Sequence, residues 1–179
     1  MQTLKTRTDL LHLLPKNISI AEIGIFEGNF SKQIYNILSP SLLYLVDTFD
    51  GMVGSGDKDG LNFKYLNMSE SYDAITKHFE LFDNVHIIKS TSHNFLNDIE
   101  NDSLDAIYID ADHSYSAVKM DINYAYLKVK KGGYIMGHDY CQLQFPSVVC
   151  AINEFCVEFD QIIDYVTEDG CPSFLIRKQ

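Results

Sequence analysis

The sequence predicts an α/β domain built on a doubly wound, mostly parallel sheet with helices on both faces. Two observations lead there. Apolar runs of strand length alternate with stretches of helical period along nearly the whole chain, as expected for a sheet covered on both sides. The ends of the first five runs then carry Glu22, Asp47, Ser90, Asp110 and Asp139, four of them acidic. Ligands of such sheets sit beyond the carboxyl ends of the strands, so acids repeated there point to a site rather than to packing alone.

Each element has its own signal. Residues 1–17, with Leu10, Leu11, Leu13 and Leu14, read as a short amphipathic lead-in helix. The segment from Ile20 to Ser31 reads as a buried strand, a turn through Gly24 and Gly28, and the first turn of a helix. Phe30, Ile34, Ile37 and Leu38 continue that helix, which stops before Pro40. Leu42 to Val46 is the second strand, closing on Asp47. Residues 51–68 are rich in glycine and without apolar period, which suits either a lid or acceptor-binding insertion or a plain connecting loop. Ser69 to Leu81 returns to helical spacing.

Val85 to Ile88 is the third strand, leading into Ser90-Thr91-Ser92, and Leu104 to Ile109 the fourth, closing on Asp110. Val118, Ile122, Ala125 and Val129 mark a helix that Lys131-Gly132-Gly133 should break, before a fifth strand from Tyr134 to His138-Asp139-Tyr140. Pro146 suits a helix start, with Val149, Ile152, Phe155 and Phe159 inward. Ile162 to Val166 and Phe174 to Ile176, joined through Glu168-Asp169-Gly170, read as a closing antiparallel hairpin. The count is a seven-stranded sheet in a single domain, residues 1–179.

Composition narrows the function. A formal net charge of -11 and a pI near 4.8 disfavour nucleic acid or anionic lipid as partner, because both require clustered Lys and Arg. Cys141, Cys150, Cys156 and Cys171 lack C-x-x-C spacing and read as free, mostly buried thiols in a reducing compartment. No apolar run approaches the ~18 residues of a membrane span, so the cytoplasm is the expected location.

Three motifs in order carry a resemblance: Glu22-x-Gly24-x-x-x-Gly28, Asp110-Ala111-Asp112-His113-Ser114-Tyr115, and Gly132-Gly133-Tyr134-Ile135-Met136-Gly137-His138-Asp139-Tyr140. Together they resemble the Rossmann-like class I S-adenosylmethionine-dependent methyltransferases, specifically short members related to metal-assisted small-molecule and sugar O-methyltransferases. The resemblance implies that Glu22, Gly24 and Gly28 surround the methionine part of the cofactor and that Asp47 holds the ribose. Ser90, Ser92 and the residues after Asp110 would meet the adenine. The family's turn often has glycine where Phe26 stands. A dinucleotide site fits less well: Gly24-x-x-x-Gly28 is not G-x-G-x-x-G, and a pyrophosphate would face Glu22 and Glu27.

For catalysis, the resemblance implies metal ligands at Asp110, His138 and Asp139, with His113 as general base. Where relatives often have an acid, His138 shifts the preference from magnesium toward manganese, iron or zinc, and the use of a metal stays open. Otherwise His138 and Asp139 pair with each other. Asp112 suits a helix cap before Ser114 better than a catalytic role. Tyr115 and Tyr140 serve packing or the acceptor equally well. His12, His78, His86 and His93 show no ligand spacing, and Asp57-Lys58-Asp59-Gly60 lacks the glutamate of a calcium loop. The expected activity is methyl transfer to a hydroxyl of a small molecule or sugar, in a chain able to form a homo-oligomer. Its rivals are a catalytically silent module that binds the same cofactor, and a metal-dependent hydrolase using Asp110, Asp112, His113, His138 and Asp139.

Overall fold

The computed structural model describes residues 1–55 and 64–179. The chain begins with β1 (Gln2–Leu4) and α1 (Arg7–Leu11), then β2 (Ser19–Ile23), α2 (Asn29–Leu38) and β3 (Leu42–Asp47). A two-stranded antiparallel ribbon, β4 (Met52–Ser55) with β5 (Lys64–Asn67), precedes α3 (Met68–Phe79). Next come β6 (Val85–Lys89), α4 (Ser92–Asp98), β7 (Leu104–Ile109), α5 (Tyr115–Lys128) and β8 (Val129–Gly137). α6 (Pro146–Glu158), β9 (Tyr165–Thr167) and β10 (Phe174–Arg177) complete it.

The main sheet has eight strands in the order β1-β9-β10-β8-β7-β2-β3-β6. β10 runs antiparallel to both neighbours, and the remaining pairings are parallel. The α/β class and the C-terminal hairpin agree with the sequence. The strand count does not: Gln2–Leu4, expected within a lead-in helix, adds an eighth strand beside β9. Its three residues are too few to show a period. Only Arg7–Leu11 of that segment is helical, with the Asp9 carboxylate accepting from the Thr6 amide and hydroxyl at the helix start.

A second correction concerns Val129 and the glycine pair. α5 ends at Lys128, and β8 already includes Gly132 and Gly133. Gly132 has φ +80, and the register against β7 shifts between Leu104 and Ala106. The glycines therefore mark an irregularity within a strand rather than a turn before one.

Burial follows the two-residue period of the strands. Ile20 of β2 packs with Leu10, Ile34 and Phe79 on one face, whereas Ala21 and Ile23 join Phe95, Ile122 and Phe155 on the other. The order of strands reverses at β2. The chain moves outward through β3 and β6, then returns to β7 and β8 on the other side. That reversal opens a crevice at the strand ends, where α/β sheets bind ligands.

Candidate active site

A cleft of about 960 Å³ lies over the carboxyl ends of β2, β3 and β7. Its wall includes Glu22, Gly24, Asp47, Ser90, Ser92, Asp110, Asp112, His113 and His138. The sequence-derived site residues thus meet in one place, apart from Gly28 and Asp139, which lie outside the lining. Asp139 stands directly behind it, paired with His113 at 2.7 Å.

The turn after β2 is shaped by more than its glycines. Gly24 has φ +86, and a Cβ there would lie 1.9 Å from the Asp110 carbonyl oxygen, so the backbone of the β7 end itself excludes any side chain. Gly28, at φ +71, begins α2, and a Cβ would meet the Ile75 side chain at 2.7 Å. Between them Phe26 also adopts a positive φ of 55, uncommon for a bulky residue. Asp47 holds that turn. Its Oδ2 accepts from the amides of Ile25 at 2.8 Å and Phe26 at 3.3 Å, and its Oδ1 accepts from Phe49 at 2.9 Å. A carboxylate has about four acceptor positions, so Asp47 keeps capacity for a ligand beyond its role in the turn.

Glu22 lies in the cleft floor, 2% exposed, with Oε2 lacking a hydrogen-bond partner among the described residues. Burial, reinforced by the nearby charge of Asp110, pushes its carboxyl up to about 8, against the effect of the Ser31 hydroxyl. The acid is therefore largely protonated at neutral pH.

At the opposite end, four polar side chains converge. His113 Nε2 lies 2.7 Å from Asp139 Oδ2 and 3.8 Å from Asp110 Oδ1. His138 Nδ1 lies 3.2 Å from Asp139 Oδ1 and 3.6 Å from Asp110 Oδ2. Asp139 reaches between the two imidazoles from a left-handed backbone, φ 59, and is 5% exposed. Its carboxyl stays well below the usual carboxylate range because both histidines bond to it, which outweighs burial. His113 is raised to about 10 by the carboxylate of Asp110 and then by that of Asp139. The imidazole in this cluster is thus cationic at neutral pH. The four groups form one cluster, in which Asp110, His113 and Asp139 bring a ligand atom each to within 4.8 Å of one another. His138 and Asp139 also pair, as the simpler reading of that motif expected.

A family model described as a methyltransferase domain matches residues 21–140. The chain belongs to that methyltransferase domain family. An uncharacterized protein of Acanthamoeba polyphaga mimivirus, R132, is 28% identical over 146 residues, which cover 79% of this chain. The match spans 61% of that relative's length. Among solved structures, SMU.1697c of Streptococcus mutans, in complex with SAH, superposes with TM-score 0.68 at 12% identity, covering 98% of this chain and 99% of that one. The O-methyltransferase NovP superposes with TM-score 0.62 at 16% identity, covering 97% and 79%. At these identities the likeness is one of fold.

Within this methyltransferase domain several expectations find their places. Asp112 accepts from the Ser114 amide at 2.7 Å and so shapes the turn before α5, but the N-cap itself is Ser114, without a side-chain cap bond. Thr91 caps α4 by accepting from the Asn94 amide at 3.2 Å, and it lies on the cleft wall between Ser90 and Ser92. Tyr115 bonds to Glu154 and Tyr140 to Asn153, so both hydroxyls are engaged by α6. The cysteines are free, but Cys150 is exposed and the other three half-buried, not buried as expected. Residues 56–63, which hold the calcium-loop motif and the centre of the lid segment, lie outside the described residues. Among those described, no helix is long and apolar enough to cross a membrane.

Sequence reasoning missed Arg7 and the placement of His93, both on the cleft wall. The chain has only two arginines, Arg7 and Arg177. That scarcity, seven residues into an acidic chain, was the available signal for the first. His93 carried none: its ring stands edge-on to Tyr124, 5.3 Å between centroids, in a contact between helices distant in sequence.

Proposed function

We propose that this domain transfers the methyl group of S-adenosylmethionine to a hydroxyl oxygen of a small molecule or sugar. The observation that carries the reading is the polarity of one continuous cleft. It has carboxyl groups at Glu22 and Asp47 in one section, and Asp110 and His113, backed by Asp139, in another.

The residues suit the donor. Ligand clefts commonly measure about 300–1,000 Å³, and this one falls within that range. The unpartnered Glu22 Oε2 offers an acceptor to an ammonium, and Asp47 offers its remaining lone pairs to ribose hydroxyls. Methyl transfer is an in-line displacement: a carbon–oxygen bond forms as the carbon–sulfur bond breaks, and the electron pair leaves on sulfur. The acceptor's hydroxyl proton must depart with it. With the Nε2 of His113 buried against Asp139, Nδ1 is the nitrogen left to take that proton, and Asp139 steadies the imidazolium. With a pKa of about 10, on the order of one His113 in a thousand is neutral at pH 7. The base then works through a minor form that grows tenfold with each pH unit.

The cluster also suits a divalent cation, with mixed nitrogen and oxygen donors at Asp110, His113 and Asp139 and with His138 paired to Asp139 beside them. Such an ion would lower the pKa of the acceptor hydroxyl. The acidic surface favours a small acceptor over a nucleic acid. Labelled methyl transfer, measured with a panel of sugars, catechols and alcohols with and without divalent ions, tests the reading. Label appearing in an acceptor supports it, and binding of the donor with no turnover on any acceptor favours the silent module instead. Metal-dependent hydrolysis that ignores the donor would favour the hydrolase.

A further inference from the structure

We infer that Arg7 recognises the carboxylate at the amino-acid end of the methyl donor. The inference rests on the donor reading above and adds the one group that reading leaves unmet. S-adenosylmethionine carries an α-carboxylate beside its ammonium. The cleft wall carries six carboxyl side chains: Glu22, Glu27, Asp47, Asp50, Asp110 and Asp112. Glu22 is largely protonated, but a donor carboxylate placed near the other five is repelled unless a cation meets it.

Arg7 is the only lysine or arginine on that wall among the described residues. Its guanidinium lies over the Phe30 ring, 4.5 Å from the centroid. Phe30 belongs to the first turn of α2, which starts at Gly28 without a side-chain cap. The helix amides and the guanidinium therefore present positive charge to the same end of the cleft. Arg7 Nη1 stands 3.6 Å from Asp110 Oδ2, an electrostatic contact too long for a good hydrogen bond. With five N–H donors in a planar fork, guanidinium suits bidentate binding of a carboxylate.

The fold delivers this side chain from outside the family-matched region, residues 21–140. β1 pairs with β9 at the sheet edge, and the Arg7 amide donates to Asp169 Oδ2 at 3.0 Å. These two contacts tie the short α1 to the C-terminal hairpin and hold its first residue over the cleft. The N-terminal strand that breaks the expected strand count thereby acquires a job.

The test is calorimetry on the full chain with two ligands. S-adenosylhomocysteine has the amino-acid end; 5′-methylthioadenosine shares adenine, ribose and sulfur but lacks it. The readout is the ratio of the two affinities, which a general loss of fold does not bias toward either ligand. Wild type should prefer S-adenosylhomocysteine. Arg7→Gln should reduce that preference at least tenfold, as expected for a charge-assisted pair, and Arg7→Lys should reduce it less. An unchanged ratio in both variants, or a wild type without preference, overturns the role of Arg7 while leaving the donor reading intact. Failure of the wild type to bind either ligand removes the donor reading and this inference together.

Discussion

The Nε2 of His113 and the Oδ2 of Asp139 lie 2.7 Å apart at the ends of two neighbouring strands. Asp139 Oδ1 also lies 3.2 Å from His138 Nδ1, and the residue is 5% exposed. Together with Asp110, this nearly buried carboxylate holds the His113 imidazole in its charged form, which gives the pH behaviour a definite direction.

If His113 accepts the acceptor's proton, the methylation rate should rise about tenfold per pH unit above neutrality and level off near pH 10. Asp139→Asn removes one of the two carboxylates that raise the imidazole, so the plateau should begin at lower pH. A pH–rate profile of both proteins checks this. A flat profile in the wild type between pH 7 and 9 removes the base role.

Stability should respond to the same pair. His113 has a folded pKa raised above its ordinary 6.5 to about 10. Its stabilising contribution is complete below about pH 6.5 and disappears as pH rises through 10. Asp139 works in the opposite sense: its depressed pKa stabilises the fold above the ordinary carboxylate range and is lost in acid. Urea melts across pH should show His113→Gln losing its disadvantage at alkaline pH.

Glu22 offers a separate test. An acid whose folded pKa is raised from 4.5 to about 8 favours the fold at low pH, and that contribution is lost as pH rises from 4.5 through 8. Glu22→Gln should therefore melt higher than wild type above pH 8. Because the ionised form suits the donor's ammonium better, wild-type affinity for S-adenosylhomocysteine should rise with pH up to about 8. The variant should show no such rise, which calorimetry at several pH values resolves.

Gly24→Ala places a Cβ 1.9 Å from the Asp110 carbonyl oxygen at a φ of +86. We expect a loss of at least about 3 kcal/mol in denaturant melts, combining strain with displacement of the β7 end. Asp47→Ala should cost about 2–4 kcal/mol, because it leaves the amides of Ile25, Phe26 and Phe49 without their acceptor.

Much of this site was legible because strand ends are marked twice in the sequence, by the close of an apolar run and by the acid that follows. Glu22, Asp47 and Asp110 were found that way, and the sheet order brings them to one cleft. What stayed hidden depends on tertiary contact. Nothing local shows that Gly24 is demanded by the Asp110 carbonyl, or that Asp47 supports the Phe26 turn. The protonated state of His113 depends on Asp110, three positions before it, and also on Asp139, 26 positions after it, and that second contribution could not be read from its own neighbourhood. Gln2–Leu4 has too little pattern to announce a strand, and with it the reach of Arg7 went unseen.

The most direct test is a crystal structure of the protein soaked with S-adenosylhomocysteine. The account predicts the ribose hydroxyls on Asp47, the amino-acid end between Glu22 and Arg7, and the sulfur facing Asp110 and His113. A ligand bound away from these strand ends, or lying with its sulfur turned from His113, would contradict it.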